Sequence, residues 1–225
     1  MPERTPIIVW DLPTRLFHWA LVILIVLQYL SGEFELLPME WHYRFGYATL
    51  ALILFRVLWG FLGSRTSRFT DFVRGPVTVV RYAIDSFRAR VRPIAGHNPL
   101  GGWSVLLMLL SVAVQSVSGL FASDDLTESG LLASRVSDAT VKWMTRIHSV
   151  NRWVLLLLIA AHVTAVAMHW LIRHDNLVAG MWHGRRTIEE AAPMGVAPLG
   201  RALALLIVSV VAVGLLVIWG GDSPP

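Results

Sequence analysis

The feature that most constrains this chain is residues 140–173, TVKWMTRIHSVNRWVLLLLIAAHVTAVAMHWLIR, an apolar run long enough to cross a bilayer as one helix. It carries His148 and His162, fourteen residues apart. At 100° per residue this spacing falls about 40° short of four full turns, with an axial rise of roughly 21 Å. Two imidazoles therefore project from one side of the helix, one near each leaflet. Ionisable groups inside a membrane are costly, so a function is predicted for both histidines. The alternative is a histidine that bonds a carbonyl of a neighbouring helix.

The composition also indicates a membrane protein. The 225 residues are 55% hydrophobic and 15% charged, with a mean hydropathy of +0.60. Cysteine is absent, which excludes iron–sulfur clusters, covalently attached haem and disulfides, so a redox centre would depend on histidine. The basic pI of about 10.1 reflects arginine in the loops, and no binding to nucleic acid is predicted from it.

The hydropathy pattern predicts an all-α integral membrane protein with five spans. They cover about 15–30, 42–62, 103–121, 140–173 and 203–219. A mildly amphipathic helix at about 77–89 is predicted to lie on the membrane surface. The fifth span has no ionisable group in its interior and is interpreted as an anchor or packing surface. A cleaved signal peptide at the N-terminus is disfavoured because Glu3 and Asp11 lie there and no cleavage site is evident.

The distribution of charge predicts the orientation. The N-terminus and the loops 63–102 and 173–201 hold thirteen arginines, whereas the loops 31–44 and 122–147 hold four basic and seven acidic residues. Cytoplasmic loops carry the excess of Lys and Arg. The N-terminus is therefore predicted to be cytoplasmic and the C-terminus periplasmic.

Orientation decides which histidines can meet. His42 and His148 open the second and fourth spans on the periplasmic side, and His18 and His162 lie in the cytoplasmic leaflet. Two stacked imidazole pairs suit low-spin haem iron, because two strong axial ligands favour electron transfer. Zinc is the rival, but a closed zinc site needs about four ligands at one point. The haem at His42 and His148 is called the outer haem, and the haem at His18 and His162 the inner haem.

Haem propionates need cationic partners in a medium of low dielectric constant. Arg56, fourteen residues after His42, is the candidate at the inner haem. Its alternative is snorkelling to the cytoplasmic interface, and the sequence does not separate the two. The candidates at the outer haem are Arg44, Arg146 and Arg152.

Three segments carry a resemblance to a known family: residues 8–73, the loop GHNPLGG at 96–102, and HSVNRWVLLLLIAAHVTAVAMHWLIRHDNLVAGMWHGRR. Together they resemble the prokaryotic cytochrome b561 family, which is similar to the b-type cytochrome subunit of membrane nickel–iron hydrogenases. The resemblance covers roughly residues 7–187. It implies a four-helix bundle that holds two b haems and exchanges electrons with quinone, with axial ligands at His18, His42, His148 and His162.

The resemblance divides the chain into two parts. Residues 1–187 are expected to form the di-haem transmembrane domain, and residues 188–225 a linker and a fifth transmembrane helix. The chain departs from the family in its short first periplasmic loop, which places His42 close to the interface, and in its fifth span.

The remaining histidines differ in their expected roles. His169 follows His162 by seven residues on nearly the same face, and it is a candidate to donate to a quinone carbonyl or relay its proton. A propionate partner or an interfacial histidine is the alternative. His97, His174 and His183 lie in loops beside arginines and are interpreted as solvated.

The function predicted from these features is transmembrane electron transfer between a periplasmic redox partner and quinone. The acidic periplasmic face favours a basic partner, such as a c-type cytochrome or a dehydrogenase. The alternative is a stand-alone superoxide:quinone oxidoreductase, and the sequence does not decide whether the chain is itself an enzyme. Membrane lipid is the remaining predicted partner.

Overall fold

The structure is a computed structural model that describes residues 6–87, 96–124, 127–187 and 195–221. Two short strands, β1 (Pro6–Ile8) and β2 (Arg185–Thr187), pair antiparallel. The helices, in chain order, are α1 (Leu12–Gly32), α2 (Met39–Leu62), α3 (Phe69–Phe72), α4 (Pro76–Phe87), α5 (Pro99–Gly119), α6 (Asp138–Arg173), α7 (Leu177–His183) and α8 (Leu199–Gly221).

The long helices begin at side chains that satisfy their first backbone N–H groups. Asp11 accepts the Thr14 amide at the start of α1, at 2.8 Å. Asn98 accepts the Gly101 amide at the start of α5, at 2.7 Å. In both helices a proline occupies the first turn, where its missing N–H costs nothing.

The predicted fold class is confirmed. Five helices, α1, α2, α5, α6 and α8, are long and apolar enough to cross a membrane by length and composition. The helices α1, α2, α5 and α6 form the bundle, in which α2 packs against α1 and α5, and α5 packs against α6. With 36 residues, α6 is longer than a bilayer needs.

The bundle has an acidic end and an arginine-rich end. The acidic end carries residues 33–38, 120–124 and 127–137, and the arginine-rich end carries residues 63–75 and 174–187. The core near the arginine-rich end centres on Trp59 of α2, which has no exposed surface and stacks on Phe55. Its indole N–H donates to the Asp11 carboxylate at 3.2 Å, so the buried start of α1 is tied to α2.

The fifth long helix, α8, lies along α2, as expected for a packing element. At the arginine-rich end Arg201 donates to the Leu62 carbonyl at 3.0 Å. At the acidic end the Arg135 guanidinium lies 4.1 Å from the centre of the Trp219 ring. Both ends of α8 are therefore held to the bundle.

One feature at the arginine-rich end differs from the sequence prediction. The strands β1 and β2 were not predicted, because three-residue strands carry no readable periodicity. The backbone amides of Val9 and Trp10 also bond the Gly184 carbonyl, which ties the N-terminal segment to the end of α7. The helix predicted at about 77–89 is observed as α4 (Pro76–Phe87), and residues 88–89 lie outside the described residues.

Candidate functional site

Four histidines meet in two pairs inside the bundle. The ring centroids of His42 (α2) and His148 (α6) are 6.4 Å apart, with planes at 78°. The centroids of His18 (α1) and His162 (α6) are 6.5 Å apart, with planes at 54°. These are the pairs expected from the orientation argument, so α6 supplies one ring near each end of the bundle.

The separation within each pair fits one metal ion bound between two rings. Bonds from imidazole nitrogen to a metal are about 2.0–2.1 Å long, and the ring centre lies about 1.1 Å behind the nitrogen, which puts facing centroids roughly 6.3 Å apart. Within the described residues, no group of three or more His, Cys, Asp or Glu side chains could hold a metal ion. A closed zinc site is therefore not formed there, and the donor set suits haem iron with two axial imidazoles.

The rings of His42 and His148 are oriented by backbone carbonyls. Nδ1 of His148 lies 2.9 Å from the Gln115 carbonyl oxygen, and Nδ1 of His42 lies 3.2 Å from that of Gln28. A carbonyl only accepts, so Nδ1 carries the proton in both rings and Nε2 keeps its lone pair. This is the tautomer that an axial ligand bound through Nε2 requires.

A cavity of about 380 Å³ opens between these two rings at the acidic end of the bundle. Its volume falls within the range of about 300–1,000 Å³ that is typical of cofactor and ligand sites. Gly32, Gly46 and Gly119 line it together with the histidines. In its lining the Tyr43 hydroxyl donates to the Glu128 carboxylate at 2.8 Å, which joins α2 to the loop after α5.

One of the three arginines expected near this cavity lines it. Arg152 pairs with Glu33, and its Nε atom is buried without a hydrogen-bond partner among the described residues. Arg44 pairs with Glu40 and has 56% of its side chain exposed. Arg146 is exposed and lies 5.9 Å from the centre of the Trp143 ring. Neither of the last two lines the cavity.

Arg56 is buried beside the other end of the bundle core, with 2% of its surface exposed. Its guanidinium lies 5.1 Å from the centre of the Phe69 ring. Its Nη1 atom is buried without a hydrogen-bond partner in the described part of the chain. The side chain therefore does not snorkel to the interface, and its unsatisfied donor is available to an anionic group.

His97 is a residue whose environment the sequence interpretation missed. It was expected to be solvated, but its ring lies 4.5 Å from that of Trp10 and 4.7 Å from that of Phe72, centroid to centroid. Burial, together with the nearby charges of Arg56 and His162, lowers the pKa of His97 to about 3, so the imidazole is neutral at physiological pH. The segment GHNPLGG could have indicated this environment, since it places His97 directly before the Asn98 cap of α5.

His169 lies near the arginine-rich end of α6. Its Nδ1 atom is 3.9 Å from the Asp175 carboxylate, which also accepts two 2.6 Å hydrogen bonds from Arg186. At this distance the contact between His169 and Asp175 is electrostatic rather than a direct hydrogen bond. His174 and His183 are exposed, as expected.

Comparison with known proteins places this geometry in a family context. A family model described as prokaryotic cytochrome b561 matches residues 9–184, which include all four paired histidines and end before α8. Three similar proteins come from Azotobacter chroococcum mcd 1 (25% identical, 85% of this chain and 92% of the relative), Azotobacter vinelandii (24%, 85% and 92%) and Rhodobacter capsulatus (20%, 84% and 84%). Each bears the name "Probable Ni/Fe-hydrogenase B-type cytochrome subunit".

Proposed function

Because the chain belongs to the prokaryotic cytochrome b561 family, a family of multi-pass membrane proteins that carry electrons on b haem, we propose that it moves electrons across the membrane through two haems. The outer haem would be held by His42 and His148, and the inner haem by His18 and His162. Electrons would pass between a periplasmic redox partner and membrane quinone. The protein would lie in the bacterial inner membrane, with its N-terminus in the cytoplasm.

The observation that carries this proposal is the pair of ring separations, 6.4 Å and 6.5 Å, at two levels of one helix. A haem bound by two imidazoles supplies a one-electron couple that keeps both axial ligands. The chain supplies the four imidazoles and an apolar bundle around them. Arg152 and Arg56 each bring a buried, unsatisfied N–H donor, at the outer and inner level respectively, where a propionate would need one.

The charge at the two ends supports the orientation and the kind of partner. The acidic end, with Glu33, Glu40 and Glu128, would face the periplasm and dock a basic redox protein. The name of these relatives makes a nickel–iron hydrogenase one candidate partner, beside a c-type cytochrome or another dehydrogenase. No observation favours the superoxide reaction, because an acidic rim opposes the approach of an anion.

Quinone would bind near the arginine-rich end, beside His169. This imidazole can donate a hydrogen bond to a quinone carbonyl, and the Asp175 carboxylate adds a negative charge 3.9 Å from its Nδ1 atom. The geometry supports this role because His169 lies two turns along α6 from the inner ligand His162.

The proposal is tested by electron transfer across proteoliposomes. Ferricyanide is enclosed inside, dithionite is added outside, and the rate of internal reduction is measured. His148→Ala and His162→Ala should each abolish transfer, because each removes one of the two haems in series. His183→Ala, at an exposed histidine, is the matched control and should transfer normally. Transmembrane transfer at the parental rate in either ligand variant would overturn the proposal.

A further inference from the structure

The helices α1 and α5 contain the same short pattern at the same place. Residues 28–32 read QYLSG and residues 115–119 read QSVSG, and each stretch ends its helix. The first packs against His42 of the helix that follows it, and the second against His148 of the helix that follows it. The two rings that face the cavity therefore rest on equivalent Q-x-x-S-G segments.

Each segment offers its histidine two acceptors. Nδ1 of His42 lies 3.2 Å from the Gln28 carbonyl and 3.3 Å from the Ser31 hydroxyl. Nδ1 of His148 lies 2.9 Å from the Gln115 carbonyl and 3.2 Å from the Ser118 hydroxyl. The Nδ1–H group of each ring is thus shared between a carbonyl and a hydroxyl oxygen.

The serine hydroxyls are set to accept. Ser31 donates its own proton to the Leu27 carbonyl at 2.8 Å, and Ser118 donates to the Val114 carbonyl at 2.6 Å. A hydroxyl has one proton and two lone pairs, so the lone pairs remain for the ring N–H. Both serines are 2% exposed, and water does not compete for these bonds.

The glycine of each segment allows the ring to approach. A Cβ atom at Gly32 would lie 2.5 Å from Cε1 of His42, and one at Gly119 would lie 2.9 Å from Cε1 of His148. The pattern therefore combines a residue without a side chain, which leaves room for the ring, with two acceptors for its Nδ1–H.

The second histidine pair lacks this support at His18. Nδ1 of His18 is buried, and no atom of the described residues hydrogen-bonds to it. A hydrogen bond from Nδ1–H makes an imidazole more electron-donating toward a metal bound at Nε2, and such partners tune the potential of the metal. The two pairs are thus built differently.

We propose that the two Q-x-x-S-G segments are positioning elements that lock His42 and His148 in the Nε2-ligating tautomer and lower the potential of the outer haem below that of the inner haem. Ser31 and Ser118 are the positioning residues. The inference rests on the proposed assignment of the four histidines to two haems. Transfer of one electron from the outer haem, which would be oxidised, to the inner haem, which would be reduced, would then be favourable.

An optical redox titration of the full-length protein tests this inference. The outer haem is identified as the component lost in His148→Ala. In the parent, its midpoint potential should be the lower of the two. In the double variant Ser31→Ala/Ser118→Ala, the outer midpoint should rise by on the order of tenfold in the reduction equilibrium, about 59 mV for one electron, and the inner midpoint should stay unchanged.

Ser209→Ala is the matched control. Ser209 is fully buried in α8 and donates to the Leu205 carbonyl at 2.8 Å, four residues back as in Ser31 and Ser118, but it lies outside both histidine pairs. It should leave both midpoints at the parental values.

Two results would overturn the inference while the proposed function stands: an outer midpoint at or above the inner one in the parent, or a double variant with two haems and an unchanged outer midpoint. If the double variant loses the outer haem, the parent protein alone tests the inference: an outer midpoint below the inner one supports it, and an outer midpoint at or above the inner one overturns it. A parent with a single haem would instead refute the proposed function.

Discussion

A single methyl group at Gly32 should displace the outer haem. The Cβ of Gly32→Ala would lie 2.5 Å from Cε1 and 2.6 Å from Nδ1 of His42, whereas ordinary contact begins at 3.4 Å. The ring must therefore move by about 0.9 Å, or α1 and α2 must separate by that amount. Metal–ligand distances tolerate about ±0.2 Å. The displacement exceeds this tolerance several-fold, so the outer haem should be lost.

The equivalent change at Gly119 should be milder. Its Cβ would lie 2.9 Å from Cε1 of His148, which needs a displacement of about 0.5 Å. Gly119→Ala should keep the outer haem with an affinity lower by about 10–100-fold, as is usual when the support of a ligand is disturbed. Gly214→Ala in α8, where a Cβ meets nothing within 4 Å, is the control and should gain roughly 1 kcal/mol of helix stability.

The assay is the haem content per chain from the pyridine haemochrome, together with the optical spectrum of each purified variant. Gly32→Ala should contain one haem per chain, Gly119→Ala up to two with partial loss on dilution, and Gly214→Ala two. A Gly32→Ala protein with two haems and a parental spectrum would refute the reasoning, because the ring would then not rest on α1.

Three further outcomes are expected. His148→Ala should lose the outer haem alone and His162→Ala the inner haem alone, as seen in redox difference spectra; loss of both haems in either variant would contradict independent sites. His169→Ala should keep both haems but slow their oxidation by quinone, because the free energy of about one hydrogen bond to quinone, roughly 1–3 kcal/mol, is lost. A parental rate of oxidation would place quinone elsewhere, and His183→Ala is the control. Reduction by a basic periplasmic partner should slow steeply with salt, since charges in 0.15 M salt are screened beyond about 8 Å; a rate independent of salt would exclude docking on the acidic end.

The sequence predicted the spans and the histidine pairs because both depend on simple periodicities. Hydropathy over twenty residues defines a membrane helix, and the fourteen-residue step from His148 to His162 keeps both on one face. The predicted span 140–173 corresponds to α6 (Asp138–Arg173), which continues beyond His162 by eleven residues.

The remaining features depend on contacts between distant segments. His97 appeared solvated because arginines surround it in the sequence, yet Trp10 and Phe72 enclose its ring from two other segments. The sequence left two interpretations of Arg56, a propionate partner or a side chain that snorkels to the interface. The packing of Phe69 against its guanidinium shows that the side chain remains buried in the bundle. The role of the Q-x-x-S-G pattern could not be predicted from the sequence, because it depends on the packing of α1 and α5 against the histidines of the next helix.

The most direct test of the account is the number and ligation of haems in the purified parent protein. Pyridine haemochrome analysis should give two b haems per chain, both extracted by acid-acetone, and low-temperature EPR should show two low-spin ferric signals typical of bis-imidazole ligation. One haem per chain, haem that resists extraction, or a high-spin signal from either site would contradict the assignment of His18, His42, His148 and His162.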